Sequence, residues 1–217
     1  MQKRILVFRE DSFEQGDKFR EKVFEVANLL ADAPEVTKLK IVISEDRPLK
    51  FSIIPFSNKK VAVVSVHSDA NVEMESIAGQ HFSASEAIPV SYHKSWPDGE
   101  PTPGVCLLTF FKKKKDLDYD EFISRWHNGH TPLSLKIHPL WNYNRNVVRR
   151  LSNEFEDYDG IVEEQMASKK DLLNPFRFFG NPLVIIPNMM RVYFDIKGFI
   201  DYPSIETYLA TEYWLKS

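Results

Sequence analysis

The sequence predicts an α+β protein in which two β-α-β-β-α-β units form one barrel. Strands and helices follow in the same order in both halves, about 100 residues apart, as an internal duplication would give. Two strands, Val61–His67 and Val105–Phe111, are apolar on both faces, so both faces of their sheet are expected to be buried. Ser95–Gly104 contains three prolines and two glycines and is predicted to be a linker between residues 1–94 and 105–217.

The first half is predicted to contain four strands and one clear helix. The strand predictions are Lys3–Arg9, Lys38–Ser44, Val61–His67 and Ala87–Lys94. The helix is predicted at Asp17–Leu30, because apolar residues recur there at helical spacing. A short second helix is expected within Ala70–Gln80. Pro89 cannot donate to a strand ladder, so the last strand is expected at a sheet edge.

The second half repeats this order. Its strand predictions are Val105–Phe111, Trp141–Leu151, Gly160–Ala167 and Met190–Lys197. A helix is predicted at Ser168–Phe179, with Ser168 as its N-cap. The segment Ile205–Leu215 is predicted to be a helical or irregular tail. Each half therefore has the ferredoxin-like pattern, although the first half is the more degenerate one.

The helix that opens at Asp118 is the most informative segment for function. Asp118 and Glu121 form a capping box, in which each side chain accepts a free backbone N–H. The apolar face that follows contains Phe122, Ile123 and Trp126. One more four-residue step along this face reaches His130, where a leucine would be ordinary. Pro132 is predicted to end the helix soon afterwards.

Two ferredoxin-like sheets in one chain can cover each other and form a dimeric-type α/β barrel. We expect this barrel to have its helices outside and to enclose an apolar pocket with a few polar groups. The linker is long enough for closure within one chain or across a dimer, and both arrangements stay open. A homodimer is the oligomer that we expect, since it is the commonest type.

Composition limits the class of protein. Apolar residues make up 43% and aromatic residues 13% of the chain, enough for a substantial core. The net charge of −3 argues against a nucleic-acid partner. The N-terminus returns to charged residues too soon for a signal peptide, and no apolar run approaches a membrane span. With one cysteine, Cys106, the sequence fits a reducing compartment, so we expect a cytoplasmic protein.

The second half, from Gly104 to Ser217, resembles the EthD family of dimeric α/β-barrel proteins. The resemblance rests on motifs that occur in order: VCLLTFFKK, DEFISRWHNGHTPLSL, NYNRNVV, DYDGIVEEQMASKKDLL and FDIKGFID. The first half has no equivalent of the W-x3-H pair and carries Leu29 and Leu30 in its helix instead. The resemblance therefore implies one site, in the second half.

The resemblance implies a small apolar or aromatic, polyketide-like compound as the substrate. It implies cofactor-independent proton-transfer or oxygenation chemistry, with His130 as the acid/base. The enzyme classes that fit are a monooxygenase-like oxidoreductase and a cyclase-like lyase or isomerase. Two alternatives stay open: a haem-binding barrel with His130 as the axial ligand, and a non-catalytic binding or assembly protein. No metal site is expected, because His127 and His130 lack the i, i+4 spacing that puts two rings on one face.

Other residues are candidates for the same site. Tyr143 is a candidate catalytic residue, and a carboxylate of the strand at 160–167 is expected to face the pocket as a second acid or base. Glu163 and Glu164 point to opposite faces of that strand, and Glu163 is the one we expect inside. The candidate substrate-binding residues are Trp126, Asn146, Tyr158 and Phe122.

Overall fold

Eight antiparallel strands form a closed barrel in the computed structural model, which describes residues 2–11, 16–44, 52–151 and 158–217. The strands are β1 Gln2–Glu10, β2 Val36–Ile43, β3 Lys60–Ser68, β4 Gln80–Val90, β5 Val105–Phe111, β6 Leu140–Arg150, β7 Gly160–Met166 and β8 Glu206–Lys216. Around the barrel they lie in the order β1-β3-β2-β8-β5-β7-β6-β4.

The barrel closes within one chain. β8 pairs with β2 and β5, and β4 pairs with β1 and β6, so two seams join the halves. Within each half, the four strands lie in the order fourth, first, third, second. Closure across a dimer, the other arrangement that the sequence allowed, is therefore not needed to pair the strand edges.

Helices cover the outer surface of the barrel. They are α1 Gly16–Ala31, α2 Tyr119–Ser124, a π-helical turn Arg125–His130, α3 Thr131–Ile137, α4 Lys169–Leu173, α5 Pro175–Phe178, α6 Ile185–Phe199 and a 3₁₀ turn Tyr202–Ser204. Among the helices of the described ranges, none combines the length and the apolar character that crossing a membrane requires.

Side chains of each strand alternate between the barrel interior and the helix layer. In β5, Cys106, Leu108 and Phe110 belong to the apolar cluster inside the barrel. Leu107 and Phe111 instead belong to clusters that β5 shares with the helices outside. This alternation explains why β5 is apolar on both faces: one face fills the interior and the other supports the helices.

The first half differs from the prediction at three places. The strand predicted at Ala87–Lys94 is instead Gln80–Val90, so only residues 87–90 were predicted correctly. Residues 70–79 form bends and turns before β4 begins at Gln80, so the short helix expected there is wrong. β4 also has two neighbours and is not an edge strand. Pro89 is tolerated because β1 pairs with β4 only as far as Ala84, and the register with β6 shifts between Ala87 and Val90.

Two elements of the second half were predicted wrongly. Met190–Lys197, predicted as a strand, lies inside α6, and Ile205–Leu215, predicted as a helical or irregular tail, lies almost entirely in β8. In α6 the buried face follows helical spacing through Val192, Ile196 and Phe199, which a β-branched and aromatic composition concealed.

The helix after Asp118 continues past the point where Pro132 was predicted to end it. The Asp118 carboxylate accepts the Glu121 N–H at 2.8 Å, which is one half of the predicted capping box. The Glu121 carboxylate instead accepts a hydrogen bond from Arg125. A π-helical turn then follows, in which the Thr131 N–H donates to the Trp126 carbonyl five residues back. Such a widened turn accommodates Pro132, which has no N–H to donate, and α3 runs on to Ile137.

The predicted helix at Ser168–Phe179 is divided into α4 and α5 by Asn174, which precedes Pro175. Ser168 caps α4 as predicted, because its side chain accepts the Asp171 N–H. The predicted linker Ser95–Gly104 precedes β5, and its buried Thr102 hydroxyl donates to Glu212 at 2.8 Å.

Candidate functional site

An apolar cavity of about 320 Å³ lies between the outer face of the second-half strands and the helices that cover them. Leu107, Thr109 and Phe111 of β5 form its floor, while α6 and the π-helical turn contribute to its walls. The sequence predicted a pocket enclosed by the barrel, and this position is wrong. The barrel interior is instead occupied by buried side chains of its own strands.

His130 lies at the end of the π-helical turn and lines the cavity. Its Nδ1 is 2.6 Å from Asp195 Oδ2 on α6, and its Nε2 is 3.0 Å from the Ser134 hydroxyl one turn later. The ring also packs against Phe199, with 5.3 Å between the ring centroids. Both nitrogens and one ring face are therefore fixed by neighbours, so the imidazole is held in a single orientation.

The two partners of His130 determine its tautomer when the ring is neutral. A carboxylate only accepts hydrogen bonds, so Nδ1 carries the proton and donates it to Asp195. The lone pair of Nε2 then accepts the Ser134 hydroxyl. Ser134 also lines the cavity, so its oxygen is the atom of this hydrogen-bonded group that faces a bound molecule.

Glu164 is the carboxyl group in the cavity wall. Its side chain is buried, and no hydrogen bond to its carboxyl group is found within the described parts of the chain. Burial alone raises the pKa of Glu164 to about 7. At neutral pH the group is thus divided between a proton donor and a proton acceptor, which suits general acid–base catalysis.

Glu163, which we expected to face the pocket, lies on the opposite face of β7. It is buried inside the barrel and forms an ion pair with Lys40. Lys40 also lies 3.2 Å from Glu212. The charge of Glu163 is therefore neutralised within the barrel, on the side of β7 away from the cavity.

Tyr143 and Trp126 both line the cavity. Tyr143 lies opposite Glu164 in the pairing of β6 with β7. Burial and the charge of Glu164 raise the pKa of Tyr143 well above its usual value, so its hydroxyl keeps its proton. The Trp126 indole N–H donates to the Tyr143 oxygen at 3.4 Å, a long hydrogen bond. Tyr143 is thus a neutral hydrogen-bond donor beside a carboxyl group.

The other three candidates lie away from the cavity. Phe122 is fully buried behind Trp126, with 5.6 Å between their ring centroids. Asn146 faces the barrel interior and donates to the Ile161 carbonyl at 3.1 Å. Tyr158 also belongs to the interior cluster, where its hydroxyl bonds Arg9 and Glu206. The structure therefore does not bring these residues to His130.

His138 lines the same cavity and was missed from the sequence. Its Nδ1–H donates to the Phe178 carbonyl at 2.9 Å, and its ring stacks on Phe178. Burial lowers the pKa of His138 to about 4, which leaves the ring neutral at pH 7. Of the missed residues, Ser134 could have been found from its i, i+4 spacing to His130, whereas Asp195 lay in a segment predicted as a strand.

The described residues offer no group of three or more His, Cys, Asp or Glu side chains that could hold a metal ion. Haem ligation by His130 would need the lone pair of Nε2, which Ser134 occupies, or of Nδ1, which faces Asp195. The residues around His130 therefore do not fit an axial haem ligand as they stand.

One family model matches part of the second half of the chain. Residues 114–179 match the model of the EthD domain, and this range includes both His130 and Glu164. The resemblance of the second half to the EthD family is thus confirmed over residues 114–179. No match was found among curated proteins.

A solved structure described as an anthrone oxidase-like protein has a similar fold, with a TM-score of 0.62 over 100% of this chain and 94% of that one. The two sequences are 12% identical, so the likeness concerns the fold alone.

Proposed function

We propose that this EthD-domain chain is a cofactor-independent enzyme that removes a proton from a small aromatic compound bound in the cavity. The observation that carries the proposal is Glu164, a buried carboxyl group without a hydrogen-bond partner among the described residues, in an apolar wall. Desolvation makes such a carboxylate a stronger base than it would be in water. In our proposal, Glu164 takes the proton from carbon.

The walls of the cavity support an aromatic substrate. Phe111, Trp126 and Phe199 line it, and Phe111 packs edge to face on the other two rings, so flat rings can lie against them. Its volume of about 320 Å³ is at the small end for ligand pockets, which suits one compound of a few rings. Tyr143 would donate a hydrogen bond to an oxygen of the substrate, where negative charge develops after proton removal.

Oxygenation is the reaction that we infer to follow. A carbanion or enolate of an anthrone reacts with O2, and the overall change converts anthrone and O2 into anthraquinone and water. The fold neighbour described as anthrone oxidase-like supports the choice of this compound class as a probe. Molecular oxygen is then the oxidant, and the protein's part is to bind the ring system and move its proton.

Anthrone in air-saturated buffer tests this proposal. Wild-type protein should accelerate oxygen uptake and anthraquinone absorbance above the spontaneous rate. Glu164→Gln should lower kcat by about 10²–10⁴-fold, the range typical of a lost general base. Glu25→Gln is the matched control, since Glu25 is an exposed carboxylate of α1, and it should keep the wild-type rate.

Equal turnover by wild-type protein and Glu164→Gln would contradict the base role. Binding of anthrone without turnover, measured by calorimetry, would instead make the chain a non-catalytic binding protein. A haem complex whose Soret band disappears in His130→Ala would favour the haem alternative.

We also infer that residues 1–94 and 105–217 are two ferredoxin-like repeats joined by residues 95–104. The shared strand order of the two halves supports this inference. The second half has helices in both of its connections, while α1 is the one helix described in the first half. In this interpretation the first half completes the barrel and contributes Ile53, Ile54 and Pro55 to the cavity lining, while His130 and Glu164 belong to the second half.

A further inference from the structure

Asp195, His130 and Ser134 form a continuous hydrogen-bond chain that ends at the cavity. The three groups come from α6, the π-helical turn and α3. The two contacts measure 2.6 Å and 3.0 Å, both within hydrogen-bonding range. Ser134 is buried and is among the residues that line the cavity, so a molecule bound there is the partner that we assign to the end of this hydrogen-bond chain.

We propose that His130 accepts a hydroxyl proton of the substrate through Ser134, and that Asp195 is the positioning residue that keeps His130 in the required tautomer. The proposal rests on the function proposed above and adds a second proton-accepting position to it. Glu164 takes a proton from carbon, while the chain through Ser134 acts on a phenolic hydroxyl group of the same substrate.

The proton movements balance without an oxidant. The substrate O–H proton moves to Ser134 Oγ as the Ser134 proton moves to His130 Nε2. The resulting imidazolium keeps its Nδ1–H on the Asp195 carboxylate, which stabilises the new positive charge. Reversal of both transfers regenerates the starting state. A phenolate carries more electron density in its ring than a phenol does, so the substrate becomes easier to oxidise.

Geometry favours transfer through Ser134 over direct contact with His130. Direct transfer needs a free nitrogen facing the substrate, yet Asp195 holds Nδ1 and Ser134 holds Nε2. Ser134 is four residues after His130 on a helix, the spacing that places two side chains on the same face. Phe199 packs against the imidazole ring and limits its rotation away from this arrangement.

Two probe compounds distinguish proton transfer through the Asp195–His130–Ser134 hydrogen bonds from proton removal by Glu164. Anthrone has no hydroxyl group, whereas 1,8-dihydroxyanthrone has two. Ser134→Ala should lower kcat/KM for 1,8-dihydroxyanthrone by about 10²-fold or more and leave anthrone turnover near the wild-type value. Ser134→Thr, which restores a hydroxyl, should recover most of the loss. Ser124→Ala is the matched control, since Ser124 is an exposed serine at the end of α2.

Asp195 is tested in the free protein, where turnover plays no part. Nitrogen-15 NMR of His130 at alkaline pH should find the proton on Nδ1 in wild-type protein and in Ser134→Ala. Asp195→Asn should shift the proton toward Nε2, because an amide can donate to Nδ1. Asp116→Asn, an exposed aspartate, should leave the His130 spectrum unchanged.

If Ser134→Ala lowers kcat/KM equally for both probes, or for neither, proton transfer through Ser134 is overturned. A wild-type His130 protonated on Nε2 would overturn the role of Asp195. If Glu164→Gln keeps full activity while Ser134→Ala loses activity only toward the hydroxylated probe, the base role of Glu164 is contradicted and proton transfer through Ser134 is supported.

Discussion

Glu164 makes the stability of the protein depend on pH. Its pKa rises from 4.5 to about 7 on folding, so the folded state prefers the protonated carboxyl group. A raised carboxyl pKa contributes stability that is fully present below about pH 4.5 and is lost as pH rises through 7. His138 has the opposite effect, because its lowered pKa makes the folded state lose stability as pH falls from about 6.5 to 4.

Comparing wild-type protein with Glu164→Gln isolates the contribution of Glu164. The free energy of unfolding of wild type should fall by about 3 kcal/mol relative to the variant between pH 4.5 and 8, and then stay constant. Urea unfolding at a series of pH values measures this difference. A difference that does not change with pH would mean that the carboxyl group is solvated in the folded protein.

At this scale the sequence predicted part of the site. His130, Tyr143 and Trp126 could be located because a helix or strand period fixes their direction relative to apolar neighbours. The choice between Glu163 and Glu164 could not be made in the same way. Glu163 and Glu164 lie on opposite faces of β7, and both faces are buried. The position of the helices therefore decides which of the two glutamates lines the cavity.

At the scale of elements, Gly160 determines the shape of the cavity floor. Gly160 lies opposite Phe111 in the β5–β7 pair, and a Cβ there would be 2.3 Å from the tip of the Phe111 ring. Phe111 packs edge to face on Trp126, with 4.9 Å between the ring centroids. The Phe111 ring can therefore keep its position only while residue 160 has no side chain.

Gly160→Ala should force the Phe111 ring to move. We expect a loss of about 1–3 kcal/mol in the free energy of unfolding, as for other overpacked cores, and weaker binding of anthrone. Chemical denaturation and calorimetry measure the two effects. Gly129→Ala is the control, since a Cβ there meets nothing within 4 Å. Unchanged affinity of Gly160→Ala for anthrone would mean that the ligand does not contact the Phe111 ring.

The wrong element predictions have identifiable physical causes. A proline such as Pro132 ordinarily ends a helix. Here the π-helical turn before it accommodates a residue that has no backbone N–H to donate. Met190–Lys197 is rich in residues that favour strands, yet α6 forms because its apolar face is buried against α2, α3 and the sheet. Tertiary packing outweighed local propensity there, and such packing is not readable before the topology is known.

For the whole molecule, the barrel interior holds buried charges as well as apolar side chains. Lys40 is paired with both Glu163 and Glu212, and all three are buried. Burial alone would lower the pKa of Lys40, but the two carboxylates outweigh it and hold the pKa well above its ordinary value. Lys40 thus joins two strands, β7 and β8, to β2 across the interior.

Removing Lys40 should leave two carboxylates buried without their cation. We expect Lys40→Met to reduce the free energy of unfolding by about 3–5 kcal/mol, as measured by chemical denaturation at pH 7. Lys38→Met, an exposed position of the same strand, should change it by about 0.5 kcal/mol or less. A small loss at Lys40 would mean that Glu163 and Glu212 take up protons when the lysine is absent.

The architecture was the most predictable level, since the alternation of strands and helices and the doubly apolar strands indicated a barrel with external helices. The position of the cavity was not predictable, because a barrel can keep a ligand inside or under its helices. The homodimer expected from the sequence stays a prediction.

β8 also governs when the chain can finish folding during synthesis. It supplies one neighbour to β2 and one to β5, yet residues 206–216 are translated after both of those strands. Until then, β2 and β5 each present an unpaired edge of backbone N–H and C=O groups to the cell. Until β8 is available for pairing, the nascent chain therefore carries two strand edges that can aggregate, and the barrel closes only after β8 has been made.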